Sequence, residues 1–177
     1  GKSTLLDVVT NITQINKGTR KINNIEFEKI NFEAFRSKIS YVPQSLMMLD
    51  ANIKEYFEFY KDDINDEEIN KLLDYFNCSE FLGSSSDRVD YYLGDKGMRL
   101  SGGQKQKVIL AAALSRNPEL LILDEATSAI DYLEEKKILT KILEQNVTMI
   151  FISHNLQNKE MFDKIYRLEN KQLKVLK

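Results

Sequence analysis

Along this chain the spacing of apolar residues changes repeatedly, and each spacing predicts an element. Lys2 to about Val9 reads as a helix that follows a loop. Over Lys21 to Ile30, two short strands flank Asn23-Asn24, a pair suited to a turn. Ile39 to Val42 is a short apolar strand ended by Pro43. The spacing then turns helical, with Ile53, Tyr56, Phe57 and Tyr60 on one face. Asn65, with Glu68 after it, opens a second helix in the manner of a capping box, and that helix carries Ile69, Leu72, Leu73 and Phe76. Ser84 to Asp87 reads as a polar loop.

The second half alternates. Ser101 to Ser115 is a helix with Ala111, Ala112 and Ala113 inside it, stopped at Asn117-Pro118. Leu120 to Leu123 is uninterruptedly apolar, the mark of a parallel strand covered on both faces. Leu133 to Gln145 is an amphipathic helix through Leu133, Ile138, Leu139, Ile142 and Leu143, and Val147 to Ile152 is a second apolar strand. Lys164 to Leu168 and Gln172 to Leu176 form a closing hairpin around Asn170-Lys171. Strand, helix, strand in this order implies a right-handed parallel crossover. The predicted class is α/β with a mostly parallel sheet and a mostly helical insert over residues 45–117. Neither a repeat nor a Pro/Gly-rich linker divides the chain, so residues 1–177 read as one domain.

Composition narrows the setting. A hydrophobic fraction of 42% and a charged fraction of 29% suit an α/β protein with a sizeable core. No apolar run approaches the roughly 18 residues of a membrane span. A net charge of −2 gives no basic face for nucleic acid. Cys78 is the single cysteine, which rules out an internal disulfide and implies a reducing, cytosolic setting. Gly1 is not a natural start and no signal peptide follows it, so the chain is expected to have been cut or processed.

Three short stretches carry chemistry. Gly1-Lys2-Ser3-Thr4 matches the last four positions of the phosphate loop G-x-x-x-x-G-K-[ST]. Glycine lets backbone N–H groups approach phosphate oxygens, and the following helix turns its positive end toward them. Lys2 would reach the β- and γ-phosphates, and the Ser3 hydroxyl would bind Mg²⁺. Alone, the four residues fit an ordinary helix start better than a phosphate loop; the motifs that follow reverse that reading. Leu120-Leu121-Ile122-Leu123 delivers Asp124 and Glu125 at the C-terminal end of a strand, where ligands bind in open α/β sheets. There Asp124 would bind Mg²⁺ through water and Glu125 would polarise an attacking water; the plainer alternative is an acidic pair capping the next helix. Leu100-Ser101-Gly102-Gly103-Gln104 places two glycines at the opening of a helix, a second place where backbone can touch an anion, now without a lysine.

That pentapeptide resembles the signature of ABC ATPases, and the other motifs follow in the order of that family. Tyr41-Val42-Pro43-Gln44 resembles the Q-loop, which implies that Gln44 senses Mg²⁺ and the attacking water. Ser128-Ala129-Ile130-Asp131 resembles the D-loop, which implies that Ser128 and Asp131 touch an opposite subunit. Ser153-His154 resembles the switch histidine at the end of a buried strand. The resemblance implies a P-loop NTPase core with a helical signature subdomain, over residues 1–44 with 118–177 and over 45–117. It implies ATP and Mg²⁺ as ligands, and a second ABC ATPase domain packed head to tail, of the same or a different chain. In that pairing Ser101, Gly102, Gly103 and Gln104 meet the γ-phosphate held by the partner's loop. Asn155 stands where many relatives carry arginine, and Ile130 replaces the commoner leucine.

Gly94-Asp95-Lys96-Gly97 and Leu49 to Ile53 resemble exporter sequences, which implies a transmembrane partner and a place at the cytoplasmic face of a membrane. The helical face of Tyr56, Phe57, Phe59 and Tyr60 cannot bury every ring, so a leftover patch is expected for docking a membrane domain. A DNA-repair ATPase is disfavoured because no heptad run separates Gln44 from Leu100. A soluble ABC protein acting on the ribosome stays open as the alternative, and a non-ABC P-loop kinase has no reason to carry the signature. The family's first strands, its adenine-stacking aromatic and the earlier loop glycines are expected to precede Gly1. The chain as it stands is therefore expected to bind ATP poorly and to be inactive.

Overall fold

The structure is a computed structural model and describes residues 1–45 and 48–177. Leu46 and Met47, which fall in the predicted insert, lie outside the described residues. The chain forms two compact units, residues 1–37 with 155–177, and residues 38–154.

In the first unit α1 spans Lys2–Val9 and buries Leu6, and its last turn closes on Thr10, whose hydroxyl donates to the Leu6 carbonyl at 2.9 Å. The strands β1 (Lys21–Ile22) and β2 (Ile25–Glu26) form the predicted hairpin, with Lys21 opposite Glu26. Asn23 and Asn24 both take positive φ, 49° and 67°. That matches the twist a two-residue hairpin turn needs. A 3₁₀ turn at Phe27–Lys29 and the short helix α2 (Phe32–Ser37) follow. The hydrophobic spacing did not predict α2. It forms because Phe27 is buried edge-on against Phe35, ring centres 5.2 Å apart, while the Asn31 side chain accepts the Ala34 N–H at its start.

The second unit is built on three parallel strands, β3 (Ile39–Val42), β4 (Leu120–Asp124) and β5 (Thr148–Ile152), in the order β3-β4-β5. Ile39 pairs with Leu120, and Asp124 with Ile152. Leu121, Ile122 and Leu123 are fully buried in the central strand, as their uniform apolarity predicts. The edge strand β5 is only half-buried. Among the helices are α3 (Ile53–Glu58) and α4 (Asp66–Tyr75), then the single turns α5 (Ser79–Leu82) and α6 (Ser85–Arg88). The long helices are α7 (Gly102–Leu114) and α8 (Tyr132–Leu143).

Caps explain most of their boundaries. Asn52 and Glu55 make a full capping box at α3, with bonds of 2.8 and 2.9 Å. Asn65 accepts the Glu68 N–H at 2.9 Å, but the Glu68 carboxylate turns to Lys61, so only half of the predicted box is made. The expected polar loop at Ser84 to Asp87 is instead mostly the turn α6. Arg88, 4% exposed, ties it down by donating to Asp74 at 2.6 Å and to the Gly83 carbonyl. Every residue of α7 from Gln106 to Leu114 is buried, and Ser40 of β3 donates to the Ala113 carbonyl at 2.7 Å beneath it. In α8 the buried face is Glu135, Ile138, Leu139 and Ile142, while Leu133 points into solvent.

Tight turns in both units rest on asparagine. Asn77, Asn117, Asn146 and Asn170 sit at positive φ after helices or between strands, as Asn23 and Asn24 do. Back in the first unit, β6 (Tyr166–Glu169) and β7 (Gln172–Val175) pair antiparallel around Asn170-Lys171, as predicted. Among the described residues no helix is long and apolar enough to cross a membrane.

Candidate functional site

Gly1, Lys2, Ser3 and Thr4 open α1 in the first unit, with the Gly1 carbonyl accepting the Leu5 N–H at 3.1 Å. Lys2 is half-buried, and Ser3 and Thr4 are exposed. The other candidates lie in the second unit.

At the C-terminal end of β4 the chain leaves the sheet sharply. Asp124 closes the strand and is 2% exposed, a buried carboxylate on the rim of a parallel sheet. Glu125 follows with φ of +54°, a left-handed conformation that costs a non-glycine residue of order 1 kcal/mol. Its N–H donates to the Ile152 carbonyl at 2.9 Å, so the turn is pinned to the end of β5. The twist carries the Glu125 side chain to a point between two loops. Gln44, two residues past β3, donates its amide N–H to Glu125 Oε2 at 2.9 Å. His154, two residues past β5, places Nε2 2.8 Å from Oε1. Three loops leaving three neighbouring strands therefore meet on one carboxylate. The sheet order β3-β4-β5 makes this possible, because the strand bearing the acid is central. Gln44 is exposed and the His154 side chain is 76% exposed, whereas that of Glu125 is 16% exposed. The acid is sheltered and its two partners are within reach of a ligand.

Ser101, Gly102, Gly103 and Gln104 form the start of α7. The Ser101 hydroxyl accepts the Gln104 N–H, and the Gln104 side-chain oxygen accepts the Ser101 N–H at 2.8 Å. The side chain of Gln104 is thus folded back on its own helix as a cap. Both glycines press against the loop that follows Glu125. A Cβ on Gly102 would lie 3.1 Å from Ala129 Cβ, and one on Gly103 would lie 2.9 Å from the Ala129 carbonyl oxygen. In that loop Ser128 is exposed, while Asp131 caps α8 by accepting the Glu134 N–H at 3.1 Å.

Two buried polar residues escaped the sequence reading. Gln106, 3% exposed, accepts the Ala129 N–H at 2.9 Å and donates to the Ser128 hydroxyl at 3.2 Å. Glu135, 5% exposed, accepts the Thr127 hydroxyl at 2.6 Å. Their signal was faint: each is a polar residue on a helix, which reads as a solvated face.

The donors of the second unit can serve Mg²⁺: Asp124, Glu125 and Gln44 offer oxygen ligands at one rim. Among the described residues no group of three or more His, Cys, Asp or Glu side chains gathers as a metal cage. Mg²⁺ held by phosphates, water and one or two carboxylates requires none.

Comparison with known proteins agrees. The ABC transporter family model matches residues 1–128. A Rickettsia typhi protein provisionally named an export ATP-binding/permease protein is 38% identical over 168 residues, covering 93% of this chain and 29% of that protein. The ATP-dependent permease MDL1 of Candida albicans is 38% identical over 170 residues, covering 93% of this chain and 25% of its own length. A bacterial Atm1-family ABC exporter, solved with ATP bound, superposes with a TM-score of 0.89 at 27% identity over 98% of this chain and 31% of that one. The chain thus spans less than a third of each of these proteins. With this match over most of its length and the motifs on the strand ends described above, the chain belongs to the ABC transporter family, as its ATP-binding domain.

Proposed function

We propose that this domain hydrolyses ATP to drive export across a membrane, working as one half of a head-to-tail pair. The observation that carries the reading is the Glu125 carboxylate, bonded by Gln44 and His154 at the end of the central strand. A sheltered carboxylate between two polar groups that reach solvent can hold and orient a water for attack on a phosphate. In this reading Gly1, Lys2, Ser3 and Thr4 receive the phosphates, with Lys2 supplying charge. Ser3, Gln44 and Asp124 hold Mg²⁺, which when bound neutralises phosphate oxygens. His154 contacts the γ-phosphate. Ser101, Gly102, Gly103 and Gln104 contact the γ-phosphate carried by the partner domain, and Ser128 and Asp131 touch that partner.

Residues 1–44 and 118–177 act as the catalytic core and 45–117 as the helical subdomain that carries the signature. The partner domain belongs to the same or a different chain, and hydrolysis loosens the pair. A transmembrane domain completes the assembly and sets the domain at the cytoplasmic face. Tyr56 and Phe57 are buried but Phe59 is 71% exposed, which supports a docking contact for that membrane domain.

The test is complementation in the complete protein. Ser101→Phe blocks the signature, and Lys2→Ala weakens the phosphate loop. In a mixed head-to-tail pair one composite site carries both defects and the other carries neither, so mixing two inactive variants restores part of the ATPase activity. No recovery at any mixing ratio refutes sharing between domains.

A further inference from the structure

We propose that Gln106 is a positioning residue that holds the loop 128–131 in register with the start of α7, so that both are presented to the partner domain as one rigid edge. This rests on the head-to-tail reading above, and it names a residue outside every motif that reading uses. A buried side-chain amide is expected to find partners, because leaving its donor and acceptor unpaired away from water is costly. Gln106 finds its partners in the D-loop segment. Its carbonyl accepts the Ala129 N–H at 2.9 Å and its amide donates to Ser128 Oγ at 3.2 Å.

The contact is reinforced on both sides. Toward the start of α7, the Gly103 backbone lies so close to Ala129 that a Cβ would sit 2.9 Å from the carbonyl oxygen. One residue beyond Gln106, Lys107 pairs with Glu134 in the first turn of α8. The loop is also tied back to the acid, since the Ser128 N–H donates to the Glu125 carbonyl at 3.2 Å. Gln106 therefore joins the element that would meet a partner's phosphate to the element that leaves Glu125. Without it, Ser128 and Ala129 lose these two side-chain bonds to α7.

The experiment uses the complete protein, with kcat and KM for ATP measured beside the melting temperature. Gln106→Met keeps the volume and removes both bonds. Gln106→Glu keeps the shape. Burial favours the neutral carboxylic acid, which offers one O–H and one C=O where the amide offered N–H and C=O. The Met variant should lose about 10- to 100-fold in kcat, the scale of a small misplacement remote from the reacting atoms, with KM for ATP within about twofold of wild type. The Glu variant should retain most of the kcat, and more of it as pH falls. A plain packing role would instead lower the melting temperature of both variants and leave kcat of the folded protein unchanged. Near wild-type kcat in the Met variant overturns the proposal. So does a folded Glu variant whose kcat falls by about 10- to 100-fold even at low pH, and this arm decides the case where the Met variant does not fold. If the wild-type protein itself fails to hydrolyse ATP, the reading beneath falls first, and the two failures are distinct.

Discussion

Replacing Glu125 by Gln separates chemistry from structure, and the geometry sets both magnitudes. Gln44 and His154 both donate to the carboxylate, at 2.9 and 2.8 Å. A glutamine can accept from Gln44 through its oxygen and donate to an imidazole nitrogen through its amide, so both of these contacts can be kept. What is lost is charge. Because the His154 side chain is 76% exposed, the pair is screened and contributes about 0–1 kcal/mol. For a domain of this size about 1 kcal/mol moves the melting temperature by about 2–4 °C. The water-orienting role is far larger. General base catalysis supplies about 10²–10⁴-fold, or about 3–5 kcal/mol of barrier at roughly 1.4 kcal/mol per tenfold. The expected variant thus binds ATP, melts within a few degrees of wild type and turns over at least about a hundredfold more slowly. Phosphate release and thermal melting on one preparation of the complete protein test it. A rate within tenfold of wild type would remove Glu125 from the reaction, and a melting temperature lowered by more than about 10 °C would make the contact structural.

His154→Ala should cut turnover strongly with little change in melting temperature, since three quarters of its side chain is exposed; an active but thermally weakened variant means the imidazole is structural. Gly103→Ala should destabilise by about 1–3 kcal/mol in urea titration, because a new methyl meets an Ala129 backbone oxygen that cannot swing away, whereas Gly102→Ala meets only a methyl and should cost less. Equal costs would refute that distinction. Burial pushes the Cys78 thiol up to about 12, and burial likewise raises Tyr56. A raised folded pKa favours the neutral form, so this stabilisation is complete below the ordinary thiol value near 9 and is lost as pH climbs toward 12. Unfolding free energy should therefore fall over that range, by at most about 4 kcal/mol from Cys78. A flat profile from pH 8 to 11 refutes it.

The motif-bearing parts of the fold were legible because their physics is local. Leu120 to Leu123 reads as a covered strand, so Asp124 and Glu125 were expected at its C-terminal end, where loops converge on the rim of a parallel sheet. Ser101 and Gln104 announced the start of α7 through their own cap. The order in which β3, β4 and β5 lie side by side is a tertiary fact, and so is the meeting of Gln44 and His154 on one acid. Gln106 was illegible for a related reason. It sits on a helix buried on all sides, where a polar residue survives only by finding partners in a distant loop. Leu133 failed in the opposite sense: it fits the apolar stripe of α8, but nothing in the second unit covers that end of the helix.

The turn asparagines have a consequence for how this chain tolerates mutation over time. Asparagine reaches the left-handed region at modest cost and leaves the unfolded chain less free than glycine would. Exchange between the two at Asn77, Asn117 or Asn146 should be nearly silent, and these positions can drift. Gly103 is different: its φ is not left-handed, and it is glycine because a methyl there would meet the Ala129 carbonyl oxygen at 2.9 Å, whereas Gly102 faces only the Ala129 methyl. A lineage of such sequences should therefore show two classes of glycine. One is interchangeable with asparagine and records only the direction of the chain; the other admits no substitute and marks where two backbones must nearly touch.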